Sequence, residues 1–305
     1  MSIAWGNLHE KHPIILPSLT PIREGMIAGL VLVLISSLPG LLQASPPPRY
    51  LVKPTCNNFT CGKFTIPYPF GMGEACYANI SYSINCNHSK PFLNHTGLNL
   101  EVLNISLDYQ TVTVNSPISS LCNHTKGTET KASIDLDGSP FVFSSLDNIF
   151  MVLGCGSARL MNQSKAVMAG CGSTCPSVQV DAKECYGVHC CQTTISSRTT
   201  SLYRRHLLRK YSVNITTEEN ETDCVRHALV DEDWFSRHFS SQAVIEMGYA
   251  PLVLMWSIVR NDRFGSNRCN LYPFDGYGTE YPCTCGWNEE GNPYLKNGCQ
   301  GTLLS

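Results

Sequence analysis

Between residues 103 and 109 the chain alternates, with Leu103, Ile105, Leu107 and Tyr109 apolar and Asn104, Ser106 and Asp108 polar. A period of two predicts a half-buried β-strand with the polar positions outward. Residues 111–114 read as its partner, with Gln110 at the junction, and residues 141–143 and 149–153 as two more short strands. Asp137-Gly138 marks a turn between strands. Residues 251–259 form an apolar run too short to cross a membrane, and read as a buried strand. Residues 64–66 are a shorter apolar strand that runs into Pro67-Tyr68-Pro69-Phe70-Gly71. Two prolines fix φ and remove donors, so this segment is a stiff turn and neither helix nor central strand. Helical spacing appears in residues 201–211, where Leu202, Tyr203, Leu207, Leu208 and Tyr211 are interleaved with Arg204, Arg205, Arg209 and Lys210. That basic face is either simply solvated or turned toward an acidic polymer or an anionic membrane surface.

Residues 26–42, MIAGLVLVLISSLPGLL, are continuously apolar, with Arg23 upstream, a Pro39-Gly40 break and Ala44 as a small residue for cleavage. This predicts a leader with a signal peptide over residues 1–45. The run is also near the lower limit for a membrane span, which leaves a retained signal anchor as the second reading. Pro46-Pro47-Pro48 then forms a stiff linker.

Composition agrees with export. The chain has 16 cysteines, and nine asparagines stand in Asn-x-Ser/Thr: Asn58, Asn79, Asn87, Asn94, Asn104, Asn123, Asn162, Asn214 and Asn220. Such sequons imply surface loops of a secreted glycoprotein. Cysteines at this density imply disulfides, and no paired Cys-x-x-Cys units at zinc-finger spacing compete with that reading. The expected disulfide cysteines are Cys56, Cys61, Cys76, Cys86, Cys122, Cys155, Cys171, Cys175, Cys185, Cys190, Cys191, Cys224, Cys269, Cys283, Cys285 and Cys299, with a pairing that sequence leaves open. The vicinal Cys190-Cys191 is expected to bond to two different partners. Charged residues make up 15% of the chain and the net charge is −2, so no basic excess points to nucleic acid.

Cys61-Gly-x-x-x-Ile-Pro-Tyr-Pro-Phe-Gly71, with Cys76 soon after, resembles the galacturonan-binding module of plant wall-associated kinases. Gly154-Cys155, Gly170-Cys171-x-x-x-Cys175 and Cys185-x-Gly-x-x-Cys190-Cys191-Gln192 are similar to the segment that follows that module in the same family. So are the element from Cys224 to Trp234-Phe235 and the run Trp256-Ser257-Ile258. Cys283-Thr-Cys285-Gly-Trp287, Gly291-Asn-Pro-Tyr-Leu295 and Gly298-Cys299 look like the family's first EGF-like repeat. The resemblance implies a mainly β, disulfide-rich secreted fold. Its parts are a galacturonan-binding cysteine-rich domain over residues 46–155, a second cysteine-rich domain over 156–268 and a partial EGF-like repeat over 269–305. Kinase signatures (glycine loop, Val-Ala-Ile-Lys, His-Arg-Asp, Asp-Phe-Gly) are absent, so the expectation is a receptor-like ectodomain without its kinase.

What the resemblance implies for function is non-catalytic binding of pectin, as galacturonan or its oligomers. A polymer of carboxylated sugars calls for cations and flat aromatic faces. The cations near the motif are Lys53, Lys63 and Lys90, and the aromatics are Tyr68, Phe70, Tyr77 and Tyr82. Lys53, Lys63, Tyr68 and Lys90 are taken forward as ligand-binding candidates. No cofactor and no protein-bound metal are expected; calcium enters as a bridge within pectin. The run Asp231-Glu232-Asp233 is read as the start of a short helix, with Asp231 as its cap, ahead of calcium binding. No Gly-x-Ser-x-Gly or His-Glu-x-x-His motif is present, so no enzyme is expected. The alternative is a protein-interaction module for a secreted peptide or another receptor ectodomain. The expected location is the extracellular space and cell wall, with membrane contact only if residues 26–42 persist as an anchor.

Overall fold

In the computed structural model the described residues are 56, 60–74, 76–95, 98–121, 128–131, 134–176, 185–196, 208–216, 224–238, 248–258 and 283–301. They fall in one unit, Tyr50–Ser305. Strands β1 (Thr60–Cys61) and β2 (Phe64–Thr65) make a small hairpin. Then come β3 (Ile84–Asn87), β4 (Lys90–His95), β5 (Leu98–Ser106), β6 (Thr111–Pro117), β7 (Ser119–Leu121), β8 (Thr128–Lys131) and β9 (Phe141–Phe143). They are followed by β10 (Asn148–Leu153), β11 (Gly156–Asn162), β12 (Val167–Ser173), β13 (Cys190–Thr194), β14 (Tyr211–Thr216) and β15 (Val225–Asp231). Helix α1 (Glu232–His238), β16 (Tyr249–Trp256), β17 (Glu289–Gly291) and β18 (Cys299–Gly301) complete the described elements. The fold is mainly β and disulfide-rich.

A six-stranded antiparallel sheet has the order β3-β4-β5-β6-β16-β9. Two four-stranded sheets have the orders β13-β10-β15-β7 and β12-β11-β14-β8. The expected division at residue 155 does not follow these sheets. β16 lies between β6 and β9, and β10 pairs with both β13 and β15, so strands from the two sides share their hydrogen bonds.

The alternation expected over residues 103–109 is broken at both ends. Ile105 and Leu107 do pack on the core, yet Leu103 is 40% exposed and Tyr109 is 80% exposed. The cause is a register shift between Val102 and Asn104, which leaves Leu103 as the extra residue of a β-bulge. Leu100 and Val102 face the core before the shift, and the strand ends at Ser106 before Tyr109 is reached. Gln110 closes the turn to β6 with a φ of 51° and is buried.

β10 is buried along its whole length because both of its faces are covered. Phe150 and Val152 join the main core, while Ile149, Met151 and Leu153 join a second cluster with Val230 and Phe235. A continuous apolar run is what a strand covered on both sides requires. Phe235 reaches that cluster from α1, whose first turn is capped by Asp231 Oδ1 accepting from the Trp234 amide at 3.0 Å.

The helical reading of residues 201–211 is corrected where the chain is described; residues 201–207 lie outside the described residues. Leu208 bridges Phe143, and Tyr211 opens β14. Arg209 donates through Nη1 to the carbonyls of Ser139 and Phe141, and Lys210 pairs with Asp135. Residues 208–211 thus make bridge and strand pairings instead of a helical turn, and Arg209 and Lys210 are both spent on residues 135–141.

Six disulfides join described cysteines: Cys56–Cys76, Cys61–Cys86, Cys155–Cys175, Cys171–Cys191, Cys185–Cys190 and Cys285–Cys299. The vicinal Cys190 and Cys191 therefore do bond to different partners. Cys224 and Cys283 are also disulfide-bonded, and Cys122 and Cys269 lie outside the described residues.

Candidate functional site

The Pro67–Gly71 turn shows how the opening motif is built. The Phe70 amide donates to the Pro67 carbonyl at 3.0 Å across a cis Tyr68–Pro69 peptide. Ala78 N donates to Pro69 O, Gly71 N to Tyr82 O and Ile84 N to Gly71 O, which stitches the turn to the segment entering β3. Phe70 then lies edge-on to Tyr82 at 5.4 Å and to Trp256 at 5.5 Å. Trp256 in turn meets Tyr294 at 5.1 Å, and the Tyr82 hydroxyl donates to the Ser257 carbonyl at 2.7 Å. Edge-to-face pairs of this kind add to the area they bury.

The motif glycines are fixed by space. Gly62 has a φ of +61°, and a Cβ there would lie 2.5 Å from the Ser89 carbonyl oxygen. A Cβ on Gly71 would lie 2.0 Å from the Cys76 carbonyl oxygen, with no flexible side chain to yield. Gly71→Ala is therefore expected to destabilise by about 1–3 kcal/mol, as overpacking does. Thermal unfolding against wild type checks this, and an unchanged midpoint would mean that the turn relaxes freely.

The ligand candidates fare unequally. Tyr68 is 7% exposed and packs inward, so its ring is not a free face for a sugar; this corrects its expected role. Phe70 and Tyr82 are core, and Tyr77 is half-buried against it. Lys90 Nζ pairs with Glu101 Oε1 at 2.8 Å, and Glu101 Oε2 also accepts from Asn115 Nδ2 at 3.5 Å. Lys63 stands exposed on the β1–β2 turn, and Lys53 lies outside the described residues. Among the described residues no group of three His, Cys, Asp or Glu side chains is placed to hold a metal ion.

Asn292 and Tyr294, which stand in the EGF-like pattern of the sequence, also reach back to the amino-terminal half. Asn292 Nδ2 donates to the Tyr68 carbonyl at 2.7 Å, and the buried Tyr294 donates through its hydroxyl to the Leu107 carbonyl at 3.2 Å. The carboxy-terminal hairpin thus docks onto the motif turn. No local sequence signal marks such a contact between segments more than 180 residues apart.

Residues 56–116 match the family described as wall-associated receptor kinase galacturonan-binding. Along most of its length the chain is also similar to Arabidopsis thaliana proteins. Identity is 28% to wall-associated receptor kinase-like 6 over 90% of this chain, and 30% to wall-associated receptor kinase-like 3 over 84%. The chain is a homologue of the wall-associated receptor kinases. Wall-associated receptor kinase 4 aligns over 79% of the chain at 29% identity. The chain spans 48%, 40% and 34% of the lengths of these three relatives. No solved structure matches. The wall-associated-kinase match at 56–116 takes in β1 to β5 and nearly all of β6, but neither β16 nor Tyr294, which complete the same core.

Proposed function

We propose that the chain binds acidic cell-wall galacturonan without catalysis, as an extracellular receptor-like region. The observation that carries this reading is the match of residues 56–116 to the galacturonan-binding family. Recognition of a polycarboxylate calls for cations free to leave solvent for the ligand. Lys63 is the described candidate that meets this condition, because Lys90 is already held by Glu101. Among the described residues no helix is long and apolar enough to cross a membrane.

The test is retention of the full chain on immobilised polygalacturonate across a salt series, with and without calcium, against fully methyl-esterified pectin. Retention on the charged polymer that weakens as salt rises is the expected result, since added salt screens exposed charges. Lys63→Ala is expected to weaken retention several-fold, and Lys90→Ala to leave it nearly unchanged. No retention of a folded, disulfide-bonded sample would sink the reading.

A further inference from the structure

We infer that the outward face of β3, β4 and β5 carries N-linked oligosaccharides at Asn87, Asn94 and Asn104, and that galacturonan engages the molecule elsewhere. The second half rests on the function proposed above.

The register brings the three sequons to one face. Ile84 pairs with Leu93, and Leu93 with Leu100, and all three are buried. The opposite face carries Asn87 beside Lys90, and Asn94 beside Asn99. Asn104 has the parity of the buried Leu100 and Val102, so an unbroken strand would turn it into the core. The bulge at Leu103 reverses that phase and sets Asn104 opposite Thr113, while Val112 and Val114 on the same partner strand stay buried. All three asparagines are exposed. Asn87 also stands at the entry to a two-residue turn in which His88 and Ser89 both have positive φ, 49° and 62°, so its sequon projects at a hairpin tip.

In the modification, Nδ2 of each asparagine forms a bond to the anomeric carbon of an oligosaccharide carried on a lipid pyrophosphate. The anomeric carbon–oxygen bond breaks, the lipid pyrophosphate leaves with the electron pair, and the amide nitrogen gives up one proton. A fold can keep such a group only where the asparagine faces solvent, because the glycan is bulky and hydrophilic. Cover here has a physical use as well. β3 ends the described sheet order; the motif turn covers its start through Ile84 and Gly71, and an edge left uncovered beyond that point is a template for pairing with another chain. Lys90 sits within the same face, opposite Asn87 and bound to Glu101, which removes it from the ligand set on a second ground.

The experiment is glycopeptide mass spectrometry on the full chain secreted from eukaryotic cells, with enzymatic release in heavy-oxygen water to mark each occupied asparagine. Asn87, Asn94 and Asn104 are each expected to be recovered mainly in the modified form. Recovery of any of them mainly as plain asparagine overturns the assignment. The Asn87→Gln/Asn94→Gln/Asn104→Gln variant, or the folded wild type trimmed by an endoglycosidase if that variant misfolds, is then compared on polygalacturonate. Unchanged retention with greater self-association by light scattering is expected. A several-fold gain in retention on trimming would make this the ligand face and overturn the second half. If the untrimmed wild type is not retained at all, the galacturonan reading fails, and the glycopeptide map still decides the face.

Discussion

Tyr294→Ala is expected to lower the free energy of unfolding by about 3–5 kcal/mol, the range for truncating a buried aromatic. The ring is fully buried against Trp256, with centroids 5.1 Å apart, in the same cluster as Phe70, Tyr82 and Phe141. Burial pushes its phenol pKa well up, which fits a hydroxyl committed to the Leu107 carbonyl. Tyr294→Phe keeps the ring and loses that bond, so it should cost only about 1 kcal/mol. Denaturant unfolding with the disulfides intact separates the two, and tryptophan emission should shift to the red in the alanine variant. Domains have only about 5–15 kcal/mol in total, so the larger loss would unfold a substantial fraction of the protein under mild denaturant. A cost for Tyr294→Ala below about 1 kcal/mol would mean that the hairpin rests on the core rather than completing it. The consequence reaches the ligand-binding region. The segment matching the galacturonan-binding family borrows Trp256 and Tyr294 for its core, so changes far along the chain should weaken binding through stability.

Much of this architecture was legible from local chemistry. The short strands at 111–114, 141–143 and 149–153 announced themselves because β-branched and aromatic residues recur between turn residues, and β6, β9 and β10 lie there. The Asp231 cap and the split of Cys190 and Cys191 were equally readable, since each follows from a few adjacent residues. Three other features were not. A bulge at Leu103 leaves no mark in a period-two pattern. The strand start at Leu208–Tyr211 was hidden by helical spacing, because what fixes it, Asp135 and the carbonyls of Ser139 and Phe141, is distant in sequence. The division at residue 155 followed the cysteine clusters, whereas the sheets are built from pairings such as β16 with β6 that cluster spacing cannot express. At the candidate site, Pro67–Gly71 was correctly a turn, but which way its aromatics pointed depended on Trp256 and Tyr294, and they point inward.

The second large effect is expected from His227, which no motif singled out. It lies on β15 between Val152 of β10 and Ser119 of β7, 1% exposed, with its ring 6.5 Å from that of Phe150. Burial pushes the imidazole pKa down from 6.5 to about 4. The folded protein therefore holds it neutral while the unfolded chain takes up a proton as pH falls through 6.5. Stability is lost over the window from 6.5 to about 4, by on the order of 3 kcal/mol at its lower end. Asp135 acts in a separate window. The hydrogen bond from Lys210 holds its carboxyl below 3.8, so its contribution is present above that value and is lost only as pH falls further. It is also well exposed, and solvent screening keeps the pair weak. Unfolding free energies measured from neutral pH down to about 4 should thus fall in wild type. In His227→Leu, which removes the titrating group from an apolar setting, the slope above about pH 4 should largely disappear. The same slope in both proteins, or a flat wild-type profile, would mean that His227 titrates alike in the folded and unfolded chains and is not held neutral by burial.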